Sequence, residues 1–365
     1  MSINHNSLDI RSPRLRVAIN GVNINSIMQA DIMAAGSRRT SKFELTASVN
    51  DFSKRDSWLN TLSGRVSAEI FMRLQPSDDE ESMFEGLVDA VSFDPIQKVA
   101  RVRGTDYSSL LSSSAYQESF CNRTSGEIAA AIASRHGFDT NIVSTFTLVG
   151  SYRYDGYNKM LLNAHTDIIS EWELLKHLAK IEGFETFVQG KVLFFTPASL
   201  LPRNNISLDT SKVMKISLHK NCPLYEQTSL TVKSWNSWLG QTSSYTNGSS
   251  VNAAIPDAIT VADNTEMQIA IIKPNLTDEN AQNMALRYTD TLNRQVLSVD
   301  VVMPGETMMN PYDVLTVSTG ATEFDSDYIV SSIRRHFSAT AGFSQHVQGY
   351  ATGAAPANSQ DTALQ

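Results

Sequence analysis

Cysteine is nearly missing: Cys121 and Cys222 are the only two in 365 residues. They stand far apart with no Cys or His at ligand spacing, so neither a disulfide framework nor a zinc module is signalled. They read as two buried thiols of a chain made in a reducing cytosol. Long apolar runs are missing too. Stretches such as IAAAIA (128–133) and VLFF (192–195) are too short to span a bilayer, and the opening MSINHNSLDIRSPRLRV has no apolar leader core. There is no basic excess: 30 Lys and Arg face 38 Asp and Glu, a formal charge of −8. A sequence-wide basic surface for gripping nucleic acid is thereby excluded. No Walker A loop, Rossmann glycine pattern, HExxH, GxSxG or CxxC occurs, and aromatic residues do not interleave with basic ones.

What is present is 41% hydrophobic sequence, enough for two or three cores. Its patterning changes along the chain and predicts an α+β, mainly β protein in three blocks. The first, residues 1–112, alternates with period two: KFELTASV puts Phe43, Leu45, Ala47 and Val49 on one face, and SAEIFMRL does the same with Ala68, Ile70, Met72 and Leu74. FEGLVDAVSF, DPIQ and KVARVRGTDY read as strand, turn at Asp94-Pro95, and strand, while PSDDEES (76–82) reads as a solvated loop.

The second block, 113–205, mixes helix and strand. Thr124 with Glu127, and Ser170 with Glu173, form two capping-box patterns, and Gly137 and Gly183 end the two helices. The second helix carries Trp172, Leu174, Leu175, Leu178, Ala179 and Ile181 as a wide apolar face; FETFVQGKVLFF follows as a hairpin turned at Gln189-Gly190. The third block, 206–350, returns to strands. It is interrupted by the polar stretch GQTSSYTNGSSVNAAIP (240–256), read as a mobile loop, and by a helix near 277–294. Thr277 caps that helix, and its stripe is Ala281, Met284, Ala285, Tyr288 and Leu292. Residues 351–365 read as a disordered tail.

Candidate chemistry is sparse. Glu173 and His177 stand four apart on a helix, a spacing two metal ligands use, but Glu173 has capping work and only His165, before the helix, is near. Ser217, His219 and Lys220 form a poor nucleophile–base set, since Lys220 points away from the other two on a strand. Arg101, Arg103 and Asp106 gather at a strand end as an anion site or as surface charges with a turn cap. His336 and His346 lie on consecutive strands and would face each other across a ladder. SYRYDGY (151–157) suits an exposed contact with protein or sugar. No residue qualifies as catalytic, cofactor-binding or metal-binding.

The outlines of 84–107 and 327–350 agree: aromatic start, short apolar strand, turn, second strand, terminal Tyr. That agreement hints at two copies of one β design. FEGLVDAVSFDPIQKVARVRGTDYSSLLSSS, NRTSGEIAAAIASRHGF, SEWELLKHLAKIEGFETFVQGKVLFF and VVMPGETMMNPYDVLTV, in that order, resemble the motifs of phage tail baseplate hub proteins. This is the late control gene D family, which includes the hub part of type VI secretion spikes.

The resemblance implies two tube-type β domains per chain around an α+β domain. In a homotrimer these form a ring of approximate sixfold symmetry that adapts a sixfold tail tube to a threefold spike. It further implies a virion tail component assembled in the host cytoplasm, without catalysis or cofactor. Its partners would be the tail tube protein, a separately encoded spike and other baseplate or tape-measure components. DNA would pass a net-negative lumen without sequence-specific binding. A tail-associated cell-wall hydrolase or carbohydrate-binding protein is the alternative.

Overall fold

The computed structural model describes residues 13–24, 26–36, 38–49, 64–74, 79–115, 120, 123–146, 148–149, 170–221, 228–236, 241–248, 267–272, 281–282, 284–285, 288, 291–292, 294, 296–305, 309–320 and 324–351. The chain is mainly β with an α+β centre. The first block supplies β1 (Arg14–Ile19), β2 (Val22–Ile24), β3 (Ile27–Ala35), β4 (Lys42–Ser48), β5 (Ser67–Arg73), β6 (Glu81–Asp94) and β7 (Val99–Asp106). Their alternation makes one core: Phe43, Leu45, Ala47, Val49, Ala68, Ile70 and Met72 are all buried, while the residues between them face outward. Asp94 closes the β6–β7 turn by accepting from the amides of Ile96 (2.8 Å) and Gln97 (3.0 Å).

The middle holds α1 (Ser108–Ser113), β8 (Arg123–Thr124), α2 (Ser125–His136), β9 (Asp139–Ile142), β10 (Leu148–Val149), α3 (Glu171–Glu182), β11 (Glu185–Gln189) and β12 (Val192–Thr196). Both capping boxes form, and both helices end on left-handed glycines, Gly137 at φ 69° and Gly183 at φ 70°. The apolar faces of α2 and α3 share a core with β11 and β12; Trp172, Leu174, Leu175, Leu178 and Ala179 are buried in it. The hairpin turns at Gly190-Lys191, one residue later than the sequence pattern placed it, because Gln189 still pairs with Val192.

The third block contains β13 (Asn205–Ser207), β14 (Lys215–Lys220), β15 (Thr228–Asn236), β16 (Gln241–Gly248), β17 (Met267–Ile272), β18 (Leu297–Pro304), β19 (Val314–Val317), β20 (Ser326–Ser338) and β21 (Gly342–Ala351). Two expectations fail here. Residues 241–248 are a strand rather than a loop. β16 is rich in Thr, Ser and Asn and pairs through the backbone with β15, and of its described side chains only Tyr245 reaches the adjoining core, so no apolar alternation marks it. Residues 249–256 of that expected loop lie outside the described residues. Ala351 is buried at the end of β21 rather than starting a tail, and 352–365 lie outside the description. The helical stripe is as read: Ala281, Met284, Ala285, Tyr288 and Leu292 pack against Leu230, Val232, Ile269 and Ile271 of β15 and β17.

The first and third blocks share one 13-stranded sheet and one plan. Neighbours in the first run β3-β4-β7-β6-β5-β1, and in the third β14-β18-β21-β20-β19-β13. The chain visits both sets in the same order. The likeness extends to detail. β6 carries a bulge between Val88 and Ala90 against β7, and β20 one between Val330 and Ser332 against β21. Just before each bulge the partner residue is a glycine, Gly104 opposite Val88 and Gly349 opposite Val330. A Cβ on Gly104 would stand 2.0 Å from the Leu87 carbonyl; on Gly349 it would meet the equivalent Ile329 carbonyl at 3.0 Å. The copies differ at one edge, where β1 lies antiparallel to β5 but β13 parallel to β19.

Gly104→Ala, which also drives its methyl into the Phe43 ring at 2.4 Å, is expected to cost about 3 kcal/mol or more. Gly349→Ala is expected to cost distinctly less. Denaturant midpoints of the two variants check the ranking.

Candidate assembly interface

The residues that looked chemical in the sequence are mostly structural. The Glu173 amide donates to Ser170 Oγ and the Ser170 amide to Glu173 Oε2, each at 3.3 Å, so Glu173 is a cap and His177 sits half-buried behind it. His165 lies outside the described residues, as do Cys121, Cys222 and the 151–157 segment. Among the described residues no three or more His, Cys, Asp or Glu gather where they could hold a metal ion. Ser217 and His219 share a face of β14 and Lys220 turns to the other, as the strand period requires.

Arg101, Arg103 and Asp106 are not brought together. The two arginines face outward, Arg103 bonding Glu44 at 2.9 Å, while Asp106 is buried on the opposite face. There Asp106 accepts from the amides of Ser41 (2.6 Å) and Ser108 (3.0 Å), tying the β3–β4 connection to the start of α1. Burial raises its pKa, against the pull of those hydrogen bonds. The histidines do not face each other either. The β20–β21 register sets His346 opposite Arg334 and His336 opposite Ser344, so each finds its own carboxylate. Sequence reasoning missed Glu171, which is buried at the start of α3 and takes Arg135 and His136 from the end of α2. An acid in one helix's first turn and two bases in another's last turn were the available signal.

The feature that joins distant parts of the chain is the seam between β20 and β3. From Ser332↔Ala35 to Ser338↔Gln29 the third block's strand lies antiparallel on the first block's, making one sheet of the two copies. On its polar face Arg334 bonds Asp31 at 3.2 Å and His336 Nδ1 lies 3.0 Å from the same carboxylate. On its core face Arg335 is 3% exposed and donates to the carbonyls of Met83 (3.2 Å) and Met309 and to Asn310 Oδ1 (3.2 Å). Burial pulls its pKa down to about 10, with Glu81 and Asp313 opposing. One guanidinium therefore fastens β6 of the first copy to the segment before β19 of the second.

The polar face continues outward from the seam. His346 Nε2 lies 2.6 Å from Asp300, which also accepts from Gln348 at 3.1 Å, and Thr105 donates to Asp89 at 2.8 Å. Lys42, Arg101, Arg103, Lys215 and Arg334 stand among Asp31, Glu44, Asp89 and Asp300, so the chain's acidic excess is not concentrated on this face. Burial acts to raise the pKa of Asp31, but hydrogen bonds from His336 and Gln29, with the His336 and Arg334 charges, outweigh it and lower the pKa. Asp300 is lowered in the same way, burial being outweighed by Gln348, His346 and Lys215.

No family model and no curated protein sequence matches this chain. Solved structures do. A 43 kDa tail protein of prophage MuSo2 from Shewanella oneidensis matches with TM-score 0.66 at 13% identity, covering 94% of this chain and 99% of the other. A tail protein from Neisseria meningitidis matches with TM-score 0.65 at 12% identity, covering 94% and 97%. An Escherichia coli component of the type VI secretion system, described as structurally similar to bacteriophage T4 tail proteins, matches with TM-score 0.56 at 12% identity, covering 93% and 79%. The chain thus has the fold of phage tail proteins and of type VI secretion components, in agreement with the resemblance read from its motifs.

Lowered carboxylate pKa values make stability that is present above the unfolded-state pKa and lost as pH falls through the folded one. Thermal midpoints are therefore expected to drop below roughly pH 4. Asp31→Asn should lower the midpoint at pH 7 and flatten the acid-side slope; melts of both proteins between pH 2 and 7 check this. The raised pKa of Asp106 works with the opposite sign in both proteins and cancels in the difference.

Proposed function

We propose that this chain is a structural hub of a phage tail or tail-like injection machine. Three copies close into a ring that adapts a sixfold tail tube to a threefold spike. The observation that carries this reading is the repeated strand plan. Two modules of like topology in each chain give six quasi-equivalent lobes from three chains, which matches a sixfold neighbour on one side and a threefold one on the other. The working units are residues 1–112 and 206–350 as the two tube-type modules, with 113–205 as the α+β unit between them. The fold shared with tail proteins and a type VI secretion component supports the same assignment.

In this reading the protein works by shape and not by catalysis. The polar face of the shared sheet lines the channel, and its partnered acids and bases offer DNA or effectors neither a basic track nor an apolar one. Its partners are two further copies of itself, the tail tube protein, a separate spike and other baseplate or tape-measure components. It is assembled in the host cytoplasm and resides in the virion tail.

Light scattering on the purified chain is expected to give three times the 40.2 kDa chain mass, and a peptidoglycan gel is expected to show no clearing. A monomer at all concentrations, or a band of cleared cell wall, would overturn the assignment.

A further inference from the structure

Where the three blocks meet, the fold leaves a cavity of about 460 Å³. Its walls come from the end of β3, the start of β6, the β11–β12 hairpin and the segment before β19, and Arg335 of β20 lines it as well. Met83, Phe84, Phe187, Val188, Val192 and Phe194 give it apolar surfaces, and the rings of Phe187 and Phe194 stack with centroids 4.6 Å apart. Its size is that of small-molecule sites.

Arg335 is the unusual member of this lining. Its terminal nitrogens donate to the carbonyls of Met83 and Met309 and to Asn310 Oδ1. Among the described residues nothing accepts from its Nε, and no carboxylate bonds it. Glu81 and Asp313 act on it only through space, and neither lines the cavity. A buried guanidinium held by neutral oxygens alone keeps its charge in a poorly solvating place, a costly state that an anion relieves. Asn310 also lines the cavity, and with its Oδ1 engaged by Arg335 its Nδ2 is left to donate.

We propose that this cavity binds an apolar monocarboxylate, either a free organic acid or the C-terminal residue of a polypeptide. The carboxylate accepts from Arg335 and Asn310, and the stem lies against the aromatic and aliphatic walls. The charge balance limits the ligand to one anionic group. Glu85 and Asp106 line the cavity too; Glu85 accepts from Ser82 Oγ at 3.4 Å, and Asp106 from the amides of Ser41 and Ser108. Arg335 balances the first negative charge of a ligand, but a second would meet these two carboxylates unbalanced. Dicarboxylates and phosphate are therefore refused, and a neutral amide gains little from Arg335. Because Arg335 joins β6 to the segment before β19, the bound acid also tightens the contact between the two β modules and raises the thermal midpoint.

The test uses the full chain and para-benzoylbenzoate, a carboxylate whose benzophenone labels its surroundings on irradiation. Adducts are expected on peptides that hold Met83 and Phe84 or residues 187–194. Phenylbutyrate should compete for them roughly tenfold better, or more, than phenylbutyramide or glutarate. Asn310→Asp supplies the missing anion from within the chain, so it should abolish the labelling without lowering the thermal midpoint. Should that variant misfold, the acid–amide comparison on the unaltered chain still decides. Competition by an acetylated tripeptide ending in phenylalanine, but not by its C-terminal amide, would mark a polypeptide end as the ligand. Competition by the free acids alone would mark a free organic acid. Adducts elsewhere, equal competition by acid and amide, or undiminished labelling of folded Asn310→Asp would overturn the site.

Discussion

An open strand edge is a row of backbone donors and acceptors that must be paired, covered or wet, and this constraint organises the whole molecule. Within one chain it is met at the centre, where β20 and β3 complete each other. That seam turns two β modules, separated by an α+β unit, into a single sheet. Arg335 shows how the halves are fastened, because a buried cation whose terminal nitrogens donate to the carbonyls of Met83 and Met309 holds only while both segments stay in place.

The duplication explains why few side chains look functional. Glu44 and Asp300 sit at equivalent places on β4 and β18, Asp31 lies at the seam, and the three are engaged by Arg103, His346 and His336. Such cross-strand pairs fix which strand lies against which. They are a poor starting point for acid–base chemistry, where a group must be free to exchange its proton. In the proposed ring, this polar face would be passed by rather than bound.

Much of this was readable from residue order alone. Period-two alternation located β4 and β5 because one face is buried and the other is not, the Asp94-Pro95 turn located β6 and β7, and the Ser170 and Thr124 boxes located α3 and α2 to the residue, while β1, β2 and β3 went unread. The likeness of 84–107 to 327–350 was visible only as an outline. The features that make the two hairpins equivalent, a bulge and a glycine facing a carbonyl, are matters of register and not of composition. β16 was unreadable for a related reason: Thr, Ser and Asn hold it through the backbone, and its outer side chains stay wet. The β20–β3 seam joins residues some 300 apart in the chain, which no local pattern encodes. Arg335, at a core-facing position in IVSSIRRHF, was the one hint that something unusual crossed there.

The account stands on two like modules per chain closing into one annulus. Averaged electron micrographs of the purified particle, viewed down its axis, test this most directly. The expected image is a ring of six similar lobes that alternate slightly, so that threefold averaging fits better than sixfold. Three lobes, an open arc, or single unringed molecules would contradict it.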